Sequence, residues 1–240
     1  MMVSINLENI FYAYPDGKQV LKNLSFQFHD QERIGLIGPN GSGKTTLFHI
    51  IMGLLKPTSG KIEIFGNQVK VEKDFGLVRQ KIGFLFQDAD DQLFSPTVLE
   101  DVAFGPLNLG KSKDEAVDIA RKTLELLGLK GFEDRITYKL SGGEKRLVSL
   151  ATVLAMEPRI LLLDEPTSGL DDQTKTKLVK ALTDLDLSYI LISHEFDFLT
   201  ATTSDVFSMK DGQIILDKEP RVHQHEHVHP YGAYPHQHDA

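Results

Sequence analysis

Short apolar runs alternate with stripes of helical spacing along this chain. Residues 20–28, 33–37, 61–65, 81–86, 160–163 and 188–193 read as strands. The run at 160–163 is Ile-Leu-Leu-Leu, without a polar position, as a strand buried on both faces requires. Residues 3–37 together read as strands joined by turns, one of them at Tyr14-Pro15-Asp16-Gly17. Asp211-Gly212 joins 205–210 to 213–216 as a hairpin. Helical patterns follow at 46–55 and 172–185. A third helix carries Ala116, Ile119, Ala120, Thr123, Leu124 and Leu127, opened by a capping box of Ser112 and Glu115 and closed by Gly128. A fourth runs through Leu147, Val148, Leu150, Ala151, Leu154 and Ala155, with Ser141 and Glu144 as its capping box. Residues 97–139 look helical and separate, a small subdomain inserted in an α/β core.

Composition narrows the class. A chain of 240 residues with 41% hydrophobic and 25% charged residues holds one large domain, or a core with a small subdomain. A net charge of −8 argues against a nucleic-acid partner. The absence of cysteine removes disulfide and thiolate chemistry and fits a cytosolic protein. No basic and apolar leader opens the chain, and no apolar run approaches the roughly 20 residues that cross a bilayer. Membrane spans, if the protein works there, must come from another chain. From Glu219 the composition changes: six of the nine histidines lie in the last 18 residues. Residues 219–240 are therefore expected to form a disordered tail. His223, His225, His227 and His229 alternate, so an extended chain could present several imidazoles to one divalent ion; a solvated tail is the other reading.

The chemistry centres on residues 38–45, Gly-Pro-Asn-Gly-Ser-Gly-Lys-Thr, which fit the phosphate-loop pattern between a strand and a helix. Gly38, Gly41 and Gly43 let backbone N–H groups approach phosphate oxygens, and the helix N-terminus adds partial positive charge. Lys44 reaches the β- and γ-phosphates, and the Thr45 hydroxyl can ligate Mg²⁺. The buried-type strand 160–163 ends in Asp164-Glu165. Two carboxylates there are costly unless used. Asp164 is expected to hold Mg²⁺ through water, and Glu165 to polarise the attacking water. Strand 81–86 delivers Gln87 to an acidic, turn-rich stretch at 88–96; alone, Gln87 reads as a solvated strand end. His194 leaves the strand 188–193 where ligands gather in α/β sheets, which favours a functional role. Ser141, Gly142 and Gly143 open a helix although glycine costs about 1 kcal/mol there against alanine, which suggests a second surface that approaches an anion. Tyr12 and Tyr14 are each able to stack on a base or to pack into a sheet.

Taken in order, the phosphate loop, Gln87, the helical insert, Leu140-Ser141-Gly142-Gly143-Glu144, Asp164-Glu165, Ser168-Gly169-Leu170-Asp171 and His194 resemble the ATP-binding-cassette ATPases over residues 3–217. The resemblance implies a P-loop NTPase core of α/β class, with an N-terminal antiparallel β subdomain and an inserted helical subdomain at about 97–139, within an ATP-binding domain at 1–218. It implies ATP hydrolysis with Mg²⁺ in composite sites between two head-to-tail subunits, identical or different. Carried over, Gly38, Pro39, Asn40, Gly41, Ser42, Gly43, Lys44, Thr45 and Thr46 form the phosphate loop. Gln87 senses Mg²⁺ and water, and Ser141, Gly142 and Gly143 contact the partner's γ-phosphate. Asp164 supports Mg²⁺, Glu165 is the general base, Asp171 signals across the dimer, and His194 holds the γ-phosphate. Tyr14 is preferred to Tyr12 for adenine stacking. Glu144 departs from the pattern, since many members carry Gln there.

Residues 86–98 and 101–106 are similar to the ATPases of energy-coupling-factor importers, which take up vitamins or transition-metal ions. That implies a peripheral subunit on the cytoplasmic face of the membrane, bound to integral membrane transport subunits. The histidine tail turns the expected cargo toward cobalt or nickel. A vitamin importer is the alternative. A soluble cassette ATPase acting on DNA or ribosomes is less favoured, because tandem cassettes, long coiled-coil insertions and basic patches are missing. A metal-storage protein would leave the ATPase motifs without a purpose.

Overall fold

The computed structural model describes residues 2–215, so the histidine-rich segment 219–240 lies outside the described residues. The chain opens with β1 (Val3–Ala13), β2 (Gln19–His29) and β3 (Arg33–Ile37), then α1 (Lys44–Ile51). Next come β4 (Ser59–Ile64), β5 (Asn67–Gln68), α2 (Glu72–Arg79) and β6 (Ile82–Leu85). Three longer helices follow: α3 (Val98–Asn108), α4 (Lys113–Leu126) and α5 (Gly142–Leu154). The last third alternates β7 (Ile160–Asp164), α6 (Asp172–Asp184), β8 (Ser188–Ile192) and α7 (Phe196–Thr202), and ends in β9 (Asp205–Lys210) and β10 (Gln213–Ile215).

Two sheets result. The first is antiparallel, in the order β2-β1-β4-β5. The second has the order β10-β9-β3-β8-β7-β6; it is parallel throughout except for the β9–β10 hairpin. In β6, β7 and β8 every residue is buried. Alternation then decides which way each side chain goes. Ile160, Leu162, Ile190 and Ile192 enter a core shared with α1, α2 and the antiparallel sheet. Leu161, Leu163, Tyr189 and Leu191 enter a second core shared with α3, α4, α5, α6 and α7. The parallel sheet is thus a middle layer, which is why β6 and β7 carry no polar residue before their ends. Gly83 in β6 lets α5 come close, since a Cβ there would sit 2.3 Å from Val153 Cγ1.

Several details differ from the sequence expectation. The first helix begins at Lys44, directly out of the loop, and stops at Ile51; residues 52–55 turn away, with Gly53 at φ 70°. α2 was not anticipated, because only Phe75 and Val78 are buried in it and two positions make no stripe. α7, seven residues long, and the two-residue β5 also escaped the pattern. Within 97–139 the helices are α3 and α4; the following stretch is turn-rich, with a short 3₁₀ turn at Thr137–Lys139. α3 packs on both α4 and α5. No helix among the described residues is long and apolar enough to cross a membrane.

Candidate active site

β3, β7 and β8 are neighbours in the parallel sheet, and their C-terminal ends carry the phosphate loop, Asp164-Glu165 and His194 respectively. Burial along the strands confines their polar chemistry to that one edge. There a cleft of about 510 Å³ is lined by Tyr14, Asn40, Gly41, Gly43, Lys44, Thr45, Thr46, Gln87, Asp164, Glu165 and His194. Ser168, from the Ser168-Gly169-Leu170-Asp171 motif, completes the wall with Lys18 and Val20, which no motif singled out.

The loop holds its shape through glycine. Gly43 caps α1 at φ 107°, and a Cβ on it would lie 2.7 Å from Leu21 Cδ2. Gly38 has φ 153°, with the Met209 carbonyl oxygen 2.3 Å from any added Cβ. The Ser42 N–H donates to the Pro39 carbonyl at 3.1 Å. Among the described residues no side chain caps α1 and no acidic residue occupies its first turn, so its leading N–H groups face the cleft without an acid to compete for them. Lys44 is 7% exposed, and its Nζ donates to the carbonyls of Gly38 at 2.8 Å and Pro39 at 3.3 Å. Burial lowers its pKa, against the opposing pull of Glu165 and Asp164.

Asp164 ends β7 almost fully buried, and its Oδ2 finds no partner among the described residues. Burial raises its pKa; the Thr45 hydroxyl, His49, Arg146 and Lys44 oppose the rise. A buried, unpaired carboxylate oxygen beside a threonine hydroxyl is a fitting hard-oxygen donor set for Mg²⁺. Glu165 follows at φ 47°, with its N–H donating to the Ile192 carbonyl at 3.0 Å. Its Oε1 lies 3.3 Å from His194 Nε2, and its side chain is 16% exposed against 51% for the histidine. Burial raises the Glu165 pKa, His194 lowers it, Asp164 raises it and Lys44 lowers it.

The two tyrosines separate clearly. Tyr12 is 7% exposed and packs edge-on against Tyr14, ring centres 5.1 Å apart. Tyr14 is 37% exposed, its hydroxyl 3.1 Å from Thr46 Oγ1. The Tyr14 ring is the one available at the cleft. Gln87 is exposed beyond β6. Pro39 and Ser42 belong to the loop but do not line the cleft; Ser42 is buried, with its Oγ unpaired among the described residues.

Ser141, Gly142 and Gly143 are placed elsewhere. Ser141 and Gly142 are exposed at the start of α5, and none of the three lines the 510 Å³ cleft. Gly142 instead borders an adjoining cavity of about 860 Å³, with Thr45, Gln87, Lys145 and Asp164. Ser141 Oγ accepts from the Glu144 N–H at 3.3 Å, and the Glu144 carboxylate accepts from the Ser141 N–H and from Arg135, each at 2.8 Å. Glu144 therefore completes the capping box, as glutamine would. Asp171 caps α6, accepting from the Thr174 N–H at 2.8 Å, and that bond holds its pKa below the usual carboxylate value. The residue missed altogether is Arg146, buried in the second turn of α5. Its spacing to Leu150 and Val153 placed it on the buried face, which was the available signal.

This is the geometry of a P-loop ATPase that takes Mg²⁺ with its nucleotide. Residues 21–168 match the family model described as ABC transporter. A putative ABC transporter ATP-binding protein of Nitratidesulfovibrio vulgaris is 47% identical over 98% of this chain and 86% of its own length. The energy-coupling factor transporter ATP-binding protein EcfA of Methanothermobacter thermautotrophicus is 43% identical over 90% of this chain and 71% of its own. Among solved structures, cbiO1 from Clostridium perfringens, part of the ABC transporter complex cbiONQ, superposes with a TM-score of 0.80 at 36% identity, covering 90% of this chain and 88% of that one. The ATP-binding cassette MJ0796, seen as a post-hydrolysis dimer bound to ADP and Pi, gives 0.80 at 29% identity, covering 88% and 96%. The chain belongs to the ABC transporter ATP-binding family, and within it to the energy-coupling-factor type. It is an ATPase, with ATP as substrate and Mg²⁺ as cofactor.

Asp164 supplies a test of the site's electrostatics. Its folded pKa lies above the ordinary value of 3.8, so between the two the folded state binds more protons than the unfolded state. Stability then falls as pH rises through that window. Without nucleotide, the unfolding midpoint of the wild type relative to Asp164→Asn should therefore improve as pH is lowered from neutral toward 4. A difference that stays flat, or that moves the other way, contradicts the burial of an ionised Asp164.

Proposed function

We propose that this chain is the ATP-hydrolysing subunit of an energy-coupling-factor importer for cobalt or nickel ions. It works at the cytoplasmic face of the membrane, as a dimer of cassettes bound to integral membrane subunits. The observation that carries the enzymatic part is the pairing of Glu165 with His194 at 3.3 Å, in the same cleft as Lys44 and Asp164.

Each residue has a physical task. The N–H groups of the loop and of α1 bind the phosphates, and Lys44 exchanges its two loop carbonyls for phosphate oxygens. Thr45 and Asp164 hold Mg²⁺, which neutralises charge developing on the phosphoryl oxygens. Burial makes Glu165 a better proton acceptor, suited to take a proton from water, while His194 orients its carboxylate from the open side. Tyr14 presents its exposed ring to the base. Gln87 connects the cleft to the surface beyond β6. The outward placement of Ser141, Gly142 and Gly143 suits contact with nucleotide held by a second cassette, with Asp171 nearby at the start of α6; the dimeric cassettes among the structural relatives support that arrangement.

Beyond Gln87 lies an apolar surface that suits a membrane subunit. Phe94 is 67% exposed, Phe104 46% and Leu107 44%, and the two rings meet edge to face at 4.8 Å. Leu93, adjacent in sequence, is partly buried against the second core. The metal reading draws on His223, His225, His227 and His229 and on the likeness to a cassette of the cbiONQ complex.

Three outcomes test the proposal. Glu165→Gln should bind Mg-ATP and lose about 10²- to 10⁴-fold in turnover, whereas Lys44→Ala should lose binding as well. Near wild-type hydrolysis by Glu165→Gln in a single-turnover assay removes the base assignment. Replacing Phe94 and Phe104 together by serine should leave ATPase activity of the isolated protein intact and abolish transport; transport that survives with normal complex assembly moves the docking surface elsewhere. Truncation after Asp217 should leave ATP hydrolysis unchanged and lower Co²⁺ or Ni²⁺ uptake by cells at limiting metal. Full uptake by the truncated subunit would shift the cargo assignment toward a vitamin.

A further inference from the structure

We propose that Arg146 is a positioning residue: from the second turn of α5 it holds the Glu165 loop and the Gln87 loop in one fixed arrangement. The inference rests on the roles just given to Glu165 and Gln87.

A guanidinium has five N–H donors in a planar fork. In Arg146 all of them are directed at backbone carbonyls. Nε donates to Pro166 at 3.2 Å. Nη1 donates to Phe86 and, at 3.2 Å, to Gln87. Nη2 donates to Asp164 at 2.5 Å and to Glu165 at 2.7 Å. The side chain is 4% exposed, so its donors are committed to these carbonyls rather than to bulk water.

The position explains the need. β6 and β7 pair in parallel, and their last paired residues are Leu85 and Leu163. Beyond that point the two chains run on without a partner strand between them, and their carbonyls require donors from outside the sheet. Arg146 supplies donors to two carbonyls of one chain and three of the other. Glu165 benefits most. It is a non-glycine residue at φ 47°, a conformation that persists only when its surroundings over-determine it. Its N–H is held by the Ile192 carbonyl and its C=O by Arg146. The carboxylate that faces the cleft is thereby aimed from both sides of its own backbone.

Other bonds tie the Gln87 loop to α5. Gln92 Nε2 donates to the Ser149 carbonyl and to Thr152 Oγ1, each at 2.8 Å, while its Oε1 accepts from the Phe86 N–H at 3.3 Å. Lys145 pairs with Asp90 at 2.5 Å. The helix that begins at Ser141–Gly143 is thus bonded to both loops, and a shift of its first turn reaches Glu165 and Gln87 through one side chain. Burial draws the Arg146 pKa down to about 10, with Asp164, Glu165 and Asp88 opposing the fall, so the group stays charged at neutral pH. Lysine cannot replace it, because one ammonium with three donors cannot span five carbonyls on two chains.

The test uses the full-length protein with Mg-ATP and compares Arg146→Lys, Arg146→Ala and Glu165→Gln. Both arginine variants should keep the wild-type affinity for a fluorescent ATP analogue and lose about 10- to 100-fold in kcat, as outer-layer partners of active-site groups typically do. Methylguanidinium should restore part of the kcat of Arg146→Ala and nothing in Glu165→Gln. A wild-type kcat in Arg146→Lys overturns the inference. So does loss of nucleotide binding or of the folded circular-dichroism spectrum in Arg146→Lys, since either makes the residue a strut of the core. Turnover in Glu165→Gln is a separate failure, of the base assignment, and leaves the kcat effect at Arg146 to be read independently.

Discussion

A strand buried on both faces can carry polar side chains only at its ends. β6 and β7 carry no polar side chain before their last residues, and β8 carries only Ser188 at its start and the Tyr189 hydroxyl, which donates to the Thr202 carbonyl; one face of each strand feeds each of two cores. The consequence is positional. The polar groups that follow these strands are pushed to the C-terminal edge of one sheet. The strand order then makes neighbours of groups that lie far apart in the chain, as with Lys44, Glu165 and His194.

That edge concentrates charge in a poorly solvated place, and the charges answer one another. Lys44 is weakened as a cation by burial and supported by Asp164 and Glu165. Asp164 and Glu165 are raised by burial and restrained by Lys44 together with Arg146 or His194. No single member is stable there alone. Backbone carbonyls absorb what remains: two for Lys44 and five for Arg146.

Much of this was legible in the sequence because it is local. The phosphate loop, the Asp164-Glu165 pair and the caps at Ser112 and Ser141 depend on residues within a few positions of one another, and each formed as expected. What tertiary contact decides was not legible. Residue type alone did not separate Tyr12 from Tyr14; the family resemblance preferred Tyr14, and it is Tyr14 that lines the cleft while Tyr12 packs into the core. Leu93 and Phe94 look alike in sequence, but the first is partly buried against the second core and the second faces solvent. Arg146 hid in a helix whose apolar stripe continued without it. α2 hid because its two buried residues belong to another element's core.

Lys44 already has two oxygen partners within its own loop. In the proposed role, nucleotide arrival would be a swap of ligands on an ammonium, rather than the quenching of a bare charge. Glycine geometry and these carbonyl contacts already give the loop a folded shape, so little order would have to be created on entry. A triphosphate would have to outcompete carbonyls already at hand, and a diphosphate, with fewer oxygens to offer, would compete less well. Such built-in competition favours a cycling machine over a storage site: it trades tightness of grip for ease of letting go.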